Sequence, residues 1–197
     1  MVQNADQRVL PTRTVGTRSL SHETVELFHN QKEARSHYDK VLQTKAPLYY
    51  ERFDPHILEK RPLVRDLVAG TFAKLFPEKA TNLLDVGCGT GFYFPLLAKH
   101  AENITGIDVC APMLEEARQL IKQQGLANCR VRECSALDLP FEDDTMDVVH
   151  SWDFLHHVPD VPKAISEISR VLRPGGRYVA MEPNILNPSI AWYHLRR

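Results

Sequence analysis

A chain of 197 residues, 43% hydrophobic and 25% charged, has the composition of one well-cored globular domain and is short for two. Its net charge of −1 divides into 13 Lys and Arg against 10 Asp and Glu over residues 1–80 and 11 against 15 beyond. That lacks the dense basic stripe needed to neutralise phosphates, so nucleic acid is not expected as a partner. The first 30 residues hold no sustained apolar run, and Cys88, Cys110, Cys129 and Cys134 form no CxxC pair and have no His at zinc spacing. These features point to a cytoplasmic protein with reduced thiols, no membrane span, no disulfide framework and no metal site.

In chain order, residues 1–18 are polar and without period, as in a disordered tail. Residues 19–60 read as a helical cap or lid, with Val25, Phe28, Tyr38, Val41 and Leu42 recurring at helical spacing until two prolines interrupt "KAPLYYERFDP". The core is expected over 61–197. It opens with a helix that carries Leu63, Val64, Leu67, Val68, Phe72 and Leu75 on one face and ends before Pro77. Next come a buried strand in "TNLLDVGCG", another in "NITGIDV", and the helix "APMLEEARQLIKQQG" with Pro112 near its start and Gly125 past its end. "CRVREC" and "MDVVHSW" are strands three and four. "VPKAISEISRVLRP" is a helix with Ala164, Ile165, Ile168, Val171 and Leu172 inward, and "GRYVAME" is strand five. Strands separated by helices imply right-handed crossovers and a parallel sheet covered on both faces, with ligands beyond the carboxyl ends of the strands. The glycine loop, Asp108 and Glu182 all fall at that end.

The loop "LLDVGCGTGF" places Gly87, Gly89 and Gly91 at alternate positions, where backbone must turn sharply or something must approach it closely. A plain turn rarely needs three glycines in five residues. A nicotinamide dinucleotide prefers G-x-G-x-x-G, and here that third position is Phe92.

Four segments in register, "LLDVGCGTGF", "GIDVCAPMLEEAR", "LDLPFEDDTMDVV" and "VLRPGGRYVAMEPN", resemble the class I S-adenosylmethionine-dependent methyltransferases, in particular those acting on small molecules. The resemblance runs from about Asn82 to Asn184. It implies a doubly wound, mostly parallel Rossmann-like α/β sheet of strand order 3-2-1-4-5. It also implies S-adenosyl-L-methionine as cofactor, with Asp85, Gly87, Gly89 and Gly91 at the wall under its methionine end and Asp108 on the ribose hydroxyls. Asp108 suits that role chemically, since one carboxylate can accept two charge-assisted hydrogen bonds from a diol. Ser135 and Ala136 stand where relatives usually read Asp-Ala, so the adenine amino group meets a neutral acceptor here, and Asp138 is the alternative acid.

Methyl transfer from a sulfonium chiefly requires alignment, and a general base enters only for an acceptor that must lose a proton. His156 and His157 are the candidates for that base; the resemblance equally implies that such a histidine only braces its loop. Trp152, Phe154 and Glu182, with Tyr49, Tyr50 and Phe53, are candidates to line an acceptor pocket. The Asn/Asp-Pro-Pro-Tyr/Phe signature of amino-directed DNA and some protein methyltransferases and the Pro-Cys of cytosine C5 enzymes are absent after strand four, where the chain reads Ser151-Trp152-Asp153-Phe154, so a small organic acceptor is expected. Three readings compete: an active small-molecule methyltransferase, a non-catalytic or partner-dependent subunit of that type, and a nicotinamide-dinucleotide oxidoreductase. The resemblance further implies two strands beyond strand five. The 13 residues after Asn184 leave no room for them, so a C-terminally incomplete core that self-associates through an apolar strand-five edge is expected.

Overall fold

The computed structural model describes residues 57–76 and 80–184, together with the helical positions Lys32, Glu33, Ser36 and Lys40. The expectations about the tail, most of the cap, Tyr49, Tyr50 and Phe53, and the chain beyond Asn184 fall outside the described residues.

Valine-, isoleucine- and leucine-rich runs bounded by turn residues supply five strands. They are β1 (Ala80–Val86), β2 (Ala101–Asp108), β3 (Cys129–Glu133), β4 (Met146–Trp152) and β5 (Leu172–Met181). The helices are α1 (Ile57–Lys60), α2 (Pro62–Leu75), α3 (Phe94–Leu97), α4 (Ala111–Gln124) and α5 (Val161–Val171), with a 3-10 turn at Leu155–His157. All pairings are parallel in the order β3-β2-β1-β4-β5, the expected one. The winding therefore reverses between β1 and β4, and the crevice beyond their carboxyl ends is where such a sheet takes its ligand.

Alternate strand residues serve opposite layers. Leu83, Ile104 and Val148 pack with Val68 and Phe72 of α2, Phe94 and Leu97 of α3, and Leu114 and Ala117 of α4. Leu84, Val86, Ile107 and Val149 pack on the other side with Ala164, Ile168 and Val171 of α5. Burying each such leucine or isoleucine contributes about 1.5–3 kcal/mol relative to exposure. Proline stands in the first turn of both long crossover helices; Gly125, at φ 63°, ends α4, and Asp160 caps α5 by accepting from the Lys163 amide at 3.0 Å.

Several expectations need correction. In α2 only Val68 and Phe72 are buried, while Leu63 and Leu67 are 86% and 72% exposed, because one line of side chains on this helix meets the sheet. In α5, Ile165 is exposed and Glu167 turns inward instead, because its carboxylate accepts from the Leu139 amide at 2.9 Å and from Arg170 at 2.8 Å. Leu172 belongs to β5 rather than to the helix, pairing with Met146 before an irregularity in the β4–β5 register. β5 is apolar over Tyr178–Met181 but is not buried on both faces among the described residues, since Val179 is buried and Ala180 exposed. The short α3 after the glycine loop carries too few residues to show a period. No described helix is long and apolar enough to cross a membrane.

Candidate active site

Gly87, Gly89 and Gly91 adopt φ of 73°, 52° and 76°, the left-handed region that side chains avoid. Their surroundings differ. A Cβ at Gly87 would run into the Phe154 ring, and one at Gly91 would lie 2.7 Å from the Phe94 ring and 3.3 Å from the Ala117 Cβ. The protein itself is what comes close at those two positions. A Cβ at Gly89 would meet only the Met113 sulfur, at an ordinary 3.7 Å, so Gly89 is where the loop leaves room for a ligand.

The loop amides are largely spent within the fold. Gly87 and Cys88 both donate to the Ile107 carbonyl, at 2.8 and 3.0 Å, and Gly91 donates to the Cys88 carbonyl at 2.9 Å. The Gly89 amide donates to Asp108 Oδ2 at 3.0 Å, and the Cys110 amide to Oδ1 at 2.9 Å. A pyrophosphate is held by unspent amides at the N-terminus of a following helix. Here those amides are engaged and the following helix has four residues, which weighs against the dinucleotide reading.

Asp108, at the end of β2, accepts from the Gly89 amide on one oxygen and the Cys110 amide on the other, with the Val109 amide also close, and a carboxylate's roughly four lone-pair sites leave it able to accept from a ligand. Burial pushes its pKa up, aided by the nearby Asp85 charge and opposed by the amides of Cys110, Gly89 and Val109. Ser135 Oγ accepts from the Leu137 amide at 2.9 Å, so the hydroxyl in the acid's place is engaged in a local turn. Ala136 is buried in the α5-side core, and Asp138 is exposed. Burial raises the Cys88 thiol strongly, Cys134 to about 11 and Cys129 to about 12, which disfavours the thiolate at these three positions.

The opposite rim is held by Glu182, just past β5. Its Oε1 accepts from the amides of Phe154, at 3.1 Å, and Leu155, at 2.8 Å, and its Oε2 lies 2.6 Å from His156 Nδ1. Burial pushes the Glu182 pKa up, but the bond to His156 and the two amides outweigh it and hold the carboxyl below its usual range. The chain reaches this bracket through Asp153, at φ 51°, whose amide donates to the Met181 carbonyl at 2.8 Å. The rings of His156 and His157 lie 4.0 Å apart. Trp152 and Phe154 do not face each other across one pocket: Trp152 stacks on Tyr93 at 4.4 Å in the α2-side core, and Phe154 packs against the α5-side core. Strand alternation would place residues two apart on one face; the turn at Asp153, at φ 51° just past β4, redirects the chain and sends Phe154 to the other side.

Sequence reasoning missed one histidine. His150, fully buried in the middle of β4, sits in register with Asp85 of β1, and its Nδ1 lies 2.6 Å from Asp85 Oδ1. The rings of Phe72, Phe76, Tyr93 and Trp152 surround the imidazole at centroid distances of 5.3 to 6.5 Å. Its Nε2 has no hydrogen-bond partner among the described residues, a loss of about 1–3 kcal/mol for a buried polar atom. An imidazole directly after two valines in a strand expected to be core was the available signal. Asp85 is therefore a buried, paired carboxylate rather than an open one.

A family profile described as a methyltransferase domain matches residues 84–180, which run from β1 to β5. The chain is 36% identical over 132 residues to a demethylmenaquinone methyltransferase of Lactiplantibacillus plantarum, covering 62% of this chain and 56% of that protein. It is 28% identical over 157 residues to a sterol 4-C-methyltransferase of Caenorhabditis elegans, covering 76% and 47%. Among solved structures it resembles a geranyl diphosphate methyltransferase in complex with S-adenosylmethionine, with a TM-score of 0.55 and 25% identity over 66% of this chain and 56% of that one. The chain thus spans about half the length of the relatives it matches. With the domain profile, the strand order and the glycine loop falling on the same residues, the chain belongs to the class I S-adenosylmethionine-dependent methyltransferases.

Proposed function

We propose that this chain transfers a methyl group from S-adenosylmethionine to a small organic acceptor. The single observation that carries the reading is the β1–β2 wall, where Gly89, alone of the three loop glycines in having room for a Cβ, gives its amide to Asp108 at 3.0 Å. The residues present fit the cofactor: Gly89 offers a surface that a Cβ would fill, and Asp108 has lone pairs for a ribose diol. Asp85 adds negative charge nearby, suited to the cofactor's cationic methionine end. When bound, the cofactor supplies an electrophilic methyl group on a sulfonium.

On the acceptor side, Glu182 holds His156 through Nδ1 and leaves Nε2 to take a proton from an acceptor hydroxyl or activated carbon. An ionised Glu182 also favours the imidazolium that this transfer creates. His157 and Phe154 belong to the same rim, and Trp152 supports it from the α2 face. The three relatives act, by name, on a quinone precursor, a sterol and an isoprenyl diphosphate. Those names support an apolar, isoprenoid-like acceptor. The free cysteines support a reducing compartment such as the cytoplasm.

The test pairs two measurements on the full chain. Calorimetric titration with S-adenosylhomocysteine is expected to show saturable binding. Release of S-adenosylhomocysteine from S-adenosylmethionine is expected with a quinol, sterol or prenyl acceptor. Binding without turnover on any acceptor would favour the non-catalytic reading, which the engaged, neutral Ser135 also supports.

A further inference from the structure

An imidazole fully buried among four aromatic rings, with one nitrogen that has no partner among the described residues, calls for a reason, since a leucine or phenylalanine would fill the same box without stranding a polar atom. The single hydrogen bond that His150 makes runs to Asp85, which is 3% exposed, and it is the side-chain bond found for Asp85 among the described residues. The two residues face each other across the β1–β4 pairing at the point where the winding reverses, two residues before Gly87. Asp85 is also near enough to the glycine wall for its charge to add to the upward push that burial gives Asp108 and Cys88.

We infer that His150 is a positioning residue for cofactor binding: its Nδ1–H fixes the Asp85 carboxylate beneath the glycine loop, and the aromatic box of Phe72, Phe76, Tyr93 and Trp152 fixes the imidazole. This rests on the reading that Asp85 and the glycine loop wall the methionine end of the cofactor. The tautomer follows from the pairing: a carboxylate accepts, so Nδ1 carries the proton and Nε2 carries the lone pair left in the box. Geometry separates the two conservative replacements. In asparagine the side-chain amide can donate from about the place of Nδ1, whereas leucine keeps apolar volume and donates nothing.

The experiment measures S-adenosylhomocysteine affinity by calorimetry, and melting temperature, on the full chain and on His150→Leu, His150→Asn, Asp85→Asn and the double variant Asp85→Asn/His150→Leu. His150→Leu should weaken binding at least tenfold, and His150→Asn should restore it to within about threefold of the parent. On the Asp85→Asn background, His150→Leu should add less than a twofold further loss, since its effect passes through the carboxylate. Should His150→Leu fail to fold with an unpaired buried charge, the double variant, which has none, carries the comparison with Asp85→Asn alone. Ile168→Val, in the core on the opposite side of the sheet, should lower the melting temperature and leave affinity within threefold. A His150→Leu protein that melts earlier yet binds as the parent does would overturn the inference, as would additive losses in the double variant. A parent chain that does not bind at all would instead overturn the cofactor reading beneath it.

Discussion

On the β1–β2 side of the crevice the wall is made by backbone: three glycines at positive φ, amides turned onto the Ile107 and Cys88 carbonyls, and Asp108 gripped by two more. On the β4–β5 side a single carboxylate, Glu182, gathers two amides and a histidine from a loop more than 25 residues away in sequence. Burial pushes the Asp108 carboxyl up, and hydrogen bonds hold the Glu182 carboxyl down. Under the proposed function, the difference suits two tasks. A wall that meets one fixed cofactor can be built into the backbone, whereas a rim that meets a variable acceptor is assembled from side chains that can be exchanged without refolding the sheet.

The sharpest way to break this division is to change the acceptor rim alone. His156→Ala is expected to lower turnover by about 10²–10⁴-fold, the range of a lost general base, while S-adenosylhomocysteine affinity stays within twofold. Parallel kinetics and calorimetry check it, and equal loss in both would mean that His156 serves the cofactor side.

Within the wall, the glycines should separate by their neighbours. Gly91→Ala drives a Cβ into the Phe94 ring and is expected to cost about 1–3 kcal/mol of folding stability through overpacking, read by denaturant unfolding. Gly89→Ala meets only conformational strain, about 1–2 kcal/mol, and its larger effect should fall on cofactor affinity.

Ser135→Asp would sharpen the comparison further. A carboxylate can keep the Leu137 amide on one oxygen and offer the other to the adenine amino group, so affinity should rise by about 1 kcal/mol. A level or lower affinity in calorimetry would mean that adenine is held elsewhere.

The smallest expected effect lies outside the crevice, at the pairing that ties α5 to the loop before β4. Hydrogen bonding by Arg170 holds Glu167 at about 2, against an ordinary 4.5. A depressed carboxyl stabilises the fold above its unfolded value, so this contribution is intact above pH 4.5 and is lost as pH falls toward about 2. Glu167→Gln should flatten that part of the melting-temperature profile.

The cofactor half was legible in sequence because its demands are local. Positive φ calls for glycine, a strand end calls for Asp108 at a fixed distance along the chain, and helix ends call for Pro112 and Gly125. The acceptor half was legible only as residue types. That Glu182 brackets residues 154–156 and that His150 meets Asp85 depend on which strands lie side by side, which no local period encodes, and the parting of Trp152 and Phe154 turns on the positive φ of Asp153, a residue that is not glycine. The same reason explains α2, where the apolar stripe was visible but the line of it that meets the sheet was not.

The most direct measurement is a calorimetric titration of S-adenosylhomocysteine into the full chain and into its Asp108→Ala variant. Removing a buried carboxylate from the ribose contact should cost about 1.5–3 kcal/mol, an affinity at least tenfold weaker with the variant still folded. Binding of equal strength in the two proteins would contradict the assignment of the β1–β2 wall as the cofactor site.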